Sequence, residues 1–169
     1  MQAESEVIMK KSNILFPALL MVILQLIPGC VYETPPDAIS VQQIFLNNED
    51  NIQVVVEYLT SIGYENVYIT GASDSMLADL SDIAIDDPAV CSAVNQLLDE
   101  GEYVDIKKRG NTIAFEQWNG LHDIGCGVAY SINGTDLPEI LFLVELTPIS
   151  KDSWFYYTYD YNAWRNQKN

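Results

Sequence analysis

From Tyr103 onward the apolar residues of this chain recur at every second position, and no other feature constrains the fold as much. Val104 and Ile106 lie before Arg109-Gly110-Asn111, and Ile113 and Phe115 lie after it. This is the pattern of a β-hairpin over Tyr103–Lys108 and Thr112–Trp118, with those four side chains marking its core-facing rows. Three further strands are expected: Gly127–Ile132, closed by Asn133-Gly134; Ile140–Leu146, ended by Pro148; and Trp154–Tyr159.

The first half keeps a different period. Ile52, Val55, Val56, Leu59 and Ile62 follow the spacing of a helix face, and Gly63 supplies the stop. Asn66–Thr70 alternates briefly, as a strand does, while Gly71–Asp82 reads as a loop or short helix. Asp86-Asp87-Pro88 opens a second helix, because a carboxylate caps free amides and proline costs nothing in a first turn. That helix is expected to run to Asp99 with Val90, Cys91, Val94, Leu97 and Leu98 on its buried side. The fold class is therefore α+β: two helices packed on one face of a mostly antiparallel meander sheet of about five strands.

Ahead of this domain, Lys10-Lys11 precedes an apolar stretch from Ile14 to Gly29 that Pro17, Gln25 and Pro28 interrupt. A spanning helix wants about 20 predominantly apolar residues. A signal h-region needs only about 7–15. Leu26-Ile27-Pro28-Gly29-Cys30 closes the stretch, and the whole resembles the signal peptide and lipobox of bacterial lipoproteins. Pro28 stands where that family usually carries a small or β-branched residue. The resemblance implies that residues 1–29 are removed and that Cys30 becomes the lipidated N-terminus. Residues 30–40, with Thr34-Pro35-Pro36-Asp37, would form a short stiff tether, and 41–169 a single domain. It further implies a place on the extracytoplasmic face of the cell membrane, held there by acyl chains on Cys30. Glu4 and Glu6 suit an n-region poorly, so translation is expected to start at Met9. An uncleaved anchor and a plain secreted protein are the rival readings.

The chain carries 24 acidic and 8 basic residues, a formal charge of −16. Cleavage before Cys30 would remove Glu4, Glu6, Lys10 and Lys11, two of each sign, so the charge would be unchanged. Such a surface excludes nucleic acid as a partner, since phosphate binding requires the opposite sign. It suits solubility, metal cations or a basic protein partner. With Cys30 lipidated, Cys91 and Cys126 remain as an even pair that a disulfide would join in an oxidising compartment. Two separate buried thiols are the alternative.

Catalytic signals are weak. The single histidine, His122, precedes Asp123 and lies four residues before Cys126. All three fall in one connection, whereas nucleophile and base normally converge from separate elements. Asp74, Asp79, Asp82, Asp86 and Asp87 form an acidic run whose spacing matches no EF-hand loop. No phosphate loop, nucleophile elbow or helical zinc motif occurs, so no catalytic residue, metal ligand or cofactor is assigned.

The richest local composition is Trp154-Phe155-Tyr156-Tyr157-Thr158-Tyr159-Asp160-Tyr161. On a strand these rings divide between two faces, and only one face lies beneath the helices. The other is either covered or presents rings to a ligand. Trp154, Tyr156, Tyr157 and Tyr159, extended by Trp118 and Tyr130, are thus the candidate ligand-binding residues. The expected function is a membrane-anchored, non-enzymatic binding module for a protein or carbohydrate at the cell envelope. An inhibitor or immunity-type protein for a basic partner, and an envelope hydrolase working through carboxylates, are the alternatives.

Overall fold

Eight strands hydrogen-bond edge to edge in one sheet, and every adjacent pair is antiparallel. The computed structural model describes residues 34–71, 74–100, 103–120, 124–134, 136–149 and 151–167. The signal segment, Cys30, His122 and Asp123 lie outside them. Three helices precede or interrupt the first strands: α1 (Ala38–Asn47), α2 (Glu49–Ser61) and α3 (Pro88–Asp99). The strands are β1 (Asn66–Thr70), β2 (Ser75–Ala78), β3 (Ser81–Ala84), β4 (Asp105–Arg109), β5 (Thr112–Gly120), β6 (Ile124–Ser131), β7 (Leu143–Pro148) and β8 (Trp154–Asp160). A last short helix, α4, spans Tyr161–Gln167.

These elements overturn the expectation of two helices on a sheet of about five strands. Among the described residues there are four helices and eight strands. The sheet order is β3-β2-β1-β4-β5-β6-β8-β7, so β8 inserts between β6 and β7 and the meander is broken at its end. The misses have physical causes. Strands β2 and β3 have four residues each, and β2 buries only Met76 and Ala78, too few to mark a period. Helix α1 buries only Val41 and Phe45 while leaving Ile39 and Leu46 exposed, so its apolar stripe is blurred. It begins at Ala38, inside the segment read as tether, because the Asp37 carboxylate accepts the Ser40 amide at 2.8 Å and starts the helix.

The capping signal at α3 works as chemistry dictates. Asp87 accepts the Ala89 amide at 2.8 Å, and Pro88 occupies the first turn. Helix α2 buries Ile52, Val55, Val56 and Leu59. These side chains meet Val67, Ile69, Ile106, Ile113, Phe115 and Val128 in one core between helices and sheet. Two finer expectations are corrected. Val104 is 43% exposed, because β4 begins one residue later and Tyr103 turns inward instead, its amide bonding the Leu97 carbonyl. Cys91 is half-buried on the flank of α3.

Gly110, at φ +53, makes the two-residue turn between Arg109 and Thr112 that the sequence signals. The expected strand over 140–146 is displaced to Leu143–Pro148, and Ile140–Phe142 precedes it as irregular backbone. Among the described residues no helix is long and apolar enough to cross a membrane.

Candidate functional site

Alternation along β4 sends Ile106 and Lys108 toward the helices and leaves Asp105, Lys107 and Arg109 on the opposite face of the sheet. On β5 the same parity places Thr112, Ala114 and Glu116 on that second face. Asp105 and Glu116 are direct cross-strand partners, and two facing carboxylates repel. Lys107 resolves the conflict. Its Nζ lies 3.0 Å from Asp105 Oδ2 and 2.5 Å from Glu116 Oε2. The Tyr159 hydroxyl donates to Glu116 Oε1 at 2.6 Å, and the Tyr68 hydroxyl donates to Asp105 Oδ2 at 3.3 Å. The Lys107 ammonium also stands over the Tyr68 ring, 5.5 Å from its centre.

Both carboxylates are almost fully buried, Asp105 at 2% exposure and Glu116 at 1%. Burial, followed by the charge of Glu116, raises the Asp105 pKa to about 6. Burial works against the Lys107 ammonium, but the Glu116 hydrogen bond and the Asp105 charge outweigh it and hold its pKa above the usual value. Burial, then the Asp105 charge, pushes the Tyr68 phenol up. Among the described residues Asp105 Oδ1 has no hydrogen-bond partner.

Beside this cluster opens a cavity of about 250 Å³. Its polar lining is Lys107, Glu116 and Tyr159, with Arg109, Thr112 and Glu139 toward the β4–β5 turn. Its apolar wall is Ile140, Leu141, Phe142, Tyr157 and Ala114. The volume lies near the lower end of small-molecule sites, which run to about 300–1,000 Å³. The wall is pinned at both ends. The Glu139 amide donates to Thr112 Oγ1 at 2.8 Å, and the Phe142 carbonyl accepts the Asp160 amide at 3.1 Å. Phe142 itself sits at φ +57, a left-handed conformation unfavourable for a bulky residue. Its ring is gripped edge-on by Tyr161 at 4.9 Å and Trp164 at 5.2 Å. Asp160 opens the helix that carries both rings by accepting the Ala163 amide at 2.9 Å. The closing Asp160–Arg165 segment thus acts as a clamp on one wall of the cavity.

The aromatic residues singled out in the sequence do not form one surface. Trp154 and Tyr156 are buried beneath the helices, where Trp154 packs on Phe45 at 4.6 Å and on Tyr130 at 5.1 Å. Trp118 joins the same core, since a bulge after Glu116 turns it to the helix side, opposite Cys126. Tyr157 and Tyr159 take the other face. Tyr157 is buried with Ala114 and Ala129 under Ile140, Leu143 and Leu146, and Tyr159 is half-buried at the cavity. Burial, then the Glu116 charge, pushes the Tyr157 phenol well above its usual range.

Cys91 and Cys126 stand as free thiols on α3 and β6. Asp79 and Asp87 of the acidic run are occupied locally, Asp87 as a cap and Asp79 as acceptor of the Asn66 amide at 2.9 Å. Among the described residues no group of three or more His, Cys, Asp and Glu is placed to hold a metal ion.

Asp105, Lys107 and Glu116 were missed because charged residues at alternate positions ordinarily mark a solvated face. The usable signal was on the neighbouring strand. Gly125, Gly127 and Ala129 leave the second face of β6 without bulk, and such a row of small side chains marks a face on which other groups pack. Set against family models, curated proteins and solved structures, the chain finds no match.

Proposed function

We propose that residues 30–169 form a lipid-anchored, extracytoplasmic binding domain that takes a small ligand with polar and apolar parts in the cavity between β5, β8 and the 139–142 segment. One observation carries the binding reading: Lys107, Glu116 and Tyr159 converge on a cavity whose apolar wall is Ile140, Leu141, Phe142 and Tyr157. Rigid polar groups set in a largely apolar recess fix a ligand's orientation, while the recess supplies burial. The address rests on the lipobox resemblance, with Cys30 as the lipidated residue.

A non-enzymatic role is favoured by how the carboxylates are used. Both Glu116 oxygens accept hydrogen bonds from the chain itself, and Asp105 is sealed beneath Lys107. The envelope-hydrolase reading keeps one observation in its favour, since an acid raised to about 6 beside a second carboxylate is how acid–base pairs are built.

The binding reading is tested by amide chemical-shift mapping with octanoate, octylamine and octyl glucoside as probes. At least one should move the Ala114, Ile140 and Leu143 amides saturably. Silence of these amides to all three at millimolar concentration would remove the cavity as a ligand site. The address is tested by intact mass and membrane fractionation beside Cys30→Ala. A lipid-sized mass gain lost in the variant is expected, and an unmodified Cys30 overturns the anchor. Turnover of envelope esters or glycans, lost in Asp105→Asn, would favour the hydrolase.

A further inference from the structure

The second face of the sheet is covered near β7 and β8, but among the described residues it is bare at its other end, and the bare end carries an apolar row. Lys107, Tyr68, Leu77 and Asp82 are successive cross-strand partners over β4, β1, β2 and β3. Tyr68 is 38% exposed and Leu77 41%. Together with Asn66, Val67, Asp79 and Leu80 they line a groove of about 330 Å³. Leu80 stands at its lip, 93% exposed.

Leu80 is there against local preference. Ala78 pairs with Ser81, so Asp79-Leu80 is a two-residue hairpin turn, and both residues have positive φ, +43 and +72. Such turns favour Asn-Gly, because a branched side chain in the left-handed region crowds its own backbone. The position therefore carries an unfavourable backbone conformation and an unburied leucine together. Asp79 holds the turn in place, its Oδ1 accepting the Asn66 amide at 2.9 Å. The tip is braced and its leucine is presented outward.

The charge around this row decides what it fits. Asp79 and Asp82 flank it. Of the cations near it, Lys107 is already paired with Asp105 and Glu116, Lys108 is turned to the end of α2, and Arg109 stands beside Asn66 at the far edge from Leu77 and Asp82. The chain as a whole carries −16. An apolar anchor in a negative field is complementary to an apolar socket ringed by lysine or arginine.

We infer that the Leu77–Leu80 hairpin is a docking surface for a basic protein, with Leu80 as the anchor residue and Tyr68 and Leu77 as the floor. This surface does not depend on the cavity or its ligand.

The test is calorimetric titration of the full-length chain with a short peptide alternating leucine and lysine, beside a serine–lysine and a leucine–glutamate counterpart. The leucine–lysine peptide should bind one per chain. Leu80→Asn should weaken it by roughly tenfold or more, as loss of a buried anchor does. The same variant should melt at a higher temperature than the wild type, because asparagine tolerates the left-handed conformation. Equal binding of the serine–lysine or leucine–glutamate peptide would overturn the inference, as would an affinity indifferent to Leu80→Asn. Leu80-dependent adsorption to phosphatidylglycerol vesicles, or Leu80-dependent dimerisation in sedimentation, would assign the surface to a membrane or a second copy and equally overturn it.

Discussion

The Tyr159 hydroxyl reaches Glu116 Oε1 across a whole intervening strand, and Gly125 is the reason it can. Gly125 on β6 is the direct partner of Tyr159, and a methyl group placed there would lie 2.5 Å from the ring. The ring lies over the glycine and delivers its hydroxyl to β5. Gly125→Ala is expected to displace the ring and strand a buried carboxylate oxygen, costing about 1–3 kcal/mol in urea unfolding. Tyr159→Phe, which removes the same bond without a clash, should cost a comparable amount. The double variant should cost less than the two added together, because both act on one contact. Full additivity would show that the ring does not bridge to Glu116. Gly127→Ala should be worse than either, since its methyl would meet the Phe115 carbonyl at 2.1 Å and backbone cannot swing aside.

Asp105 makes stability depend on pH in an unusual direction. Its pKa is about 6 in the folded chain against an ordinary 3.8, raised by burial first and by Glu116 second. Between those values the folded state holds the proton more tightly than the unfolded state. The contribution is therefore complete below the unfolded value and is lost as pH rises through about 6. Its size is on the order of 2–3 kcal/mol. Glu116, Lys107 and Tyr68 are the groups that face it. The difference in stability between wild type and Asp105→Asn should slope across this window and level off on both sides. A carbon-13 titration of the Asp105 carboxyl should show a midpoint near 6, and a midpoint near 4 would refute the assignment.

The two main helices, the first strand and the β4–β5 hairpin were legible because each combined a clear period with a stop. Asp87-Pro88 and Gly63 bound the helices, and Gly110 turns the hairpin. The hairpin β2–β3 was not legible, because its turn holds Leu80 where such a turn normally holds glycine. Only Tyr157 and Tyr159 of the site were visible, within an excess of rings in the last strand, and the division of those rings between two faces depends on which neighbour lies where. The insertion of β8 between β6 and β7 decides that, and no local pattern encodes it. The charged cluster was hidden for the same reason: Asp105 and Glu116 become a problem only once the strands pair, and Lys107 becomes its solution only then.

Lys108 ties the sheet to a helix end. Its Nζ donates to the carbonyls of Leu59 at 2.7 Å and Ile62 at 3.1 Å, at the C-terminal end of α2. That helix has no basic residue in its own last turn, so β4 supplies the cation its dipole favours. Burial lowers the Lys108 pKa, and the charge of Asp79 works the other way. Lys108→Met keeps the apolar stem and removes the donors. It should cost about 1–3 kcal/mol and speed amide exchange in the last turn of α2 before the rest of the helix. Unchanged exchange there would mean that solvent caps the helix equally well.

The two thiols of the domain should differ sharply in reactivity. Cys126 is fully buried on β6, and burial, then the Glu116 charge, pushes its pKa up to about 12. The thiolate is the reactive form, so Cys126 is doubly protected, by access and by protonation. Cys91 is half-buried on α3, with its thiol donating to the Ile85 carbonyl at 3.1 Å. Iodoacetamide applied to the native chain without reductant should therefore label the Cys91 peptide and spare the Cys126 peptide. Denaturation should expose both to labelling, still without reductant. If neither peptide is labelled until a reductant is added, the two cysteines are joined, and the sheet and α3 must lie closer there than two free thiols require. If Cys126 is labelled as fast as Cys91 in the native chain, β6 opens on the timescale of the reaction, and the core beneath α1 is looser than its packing implies.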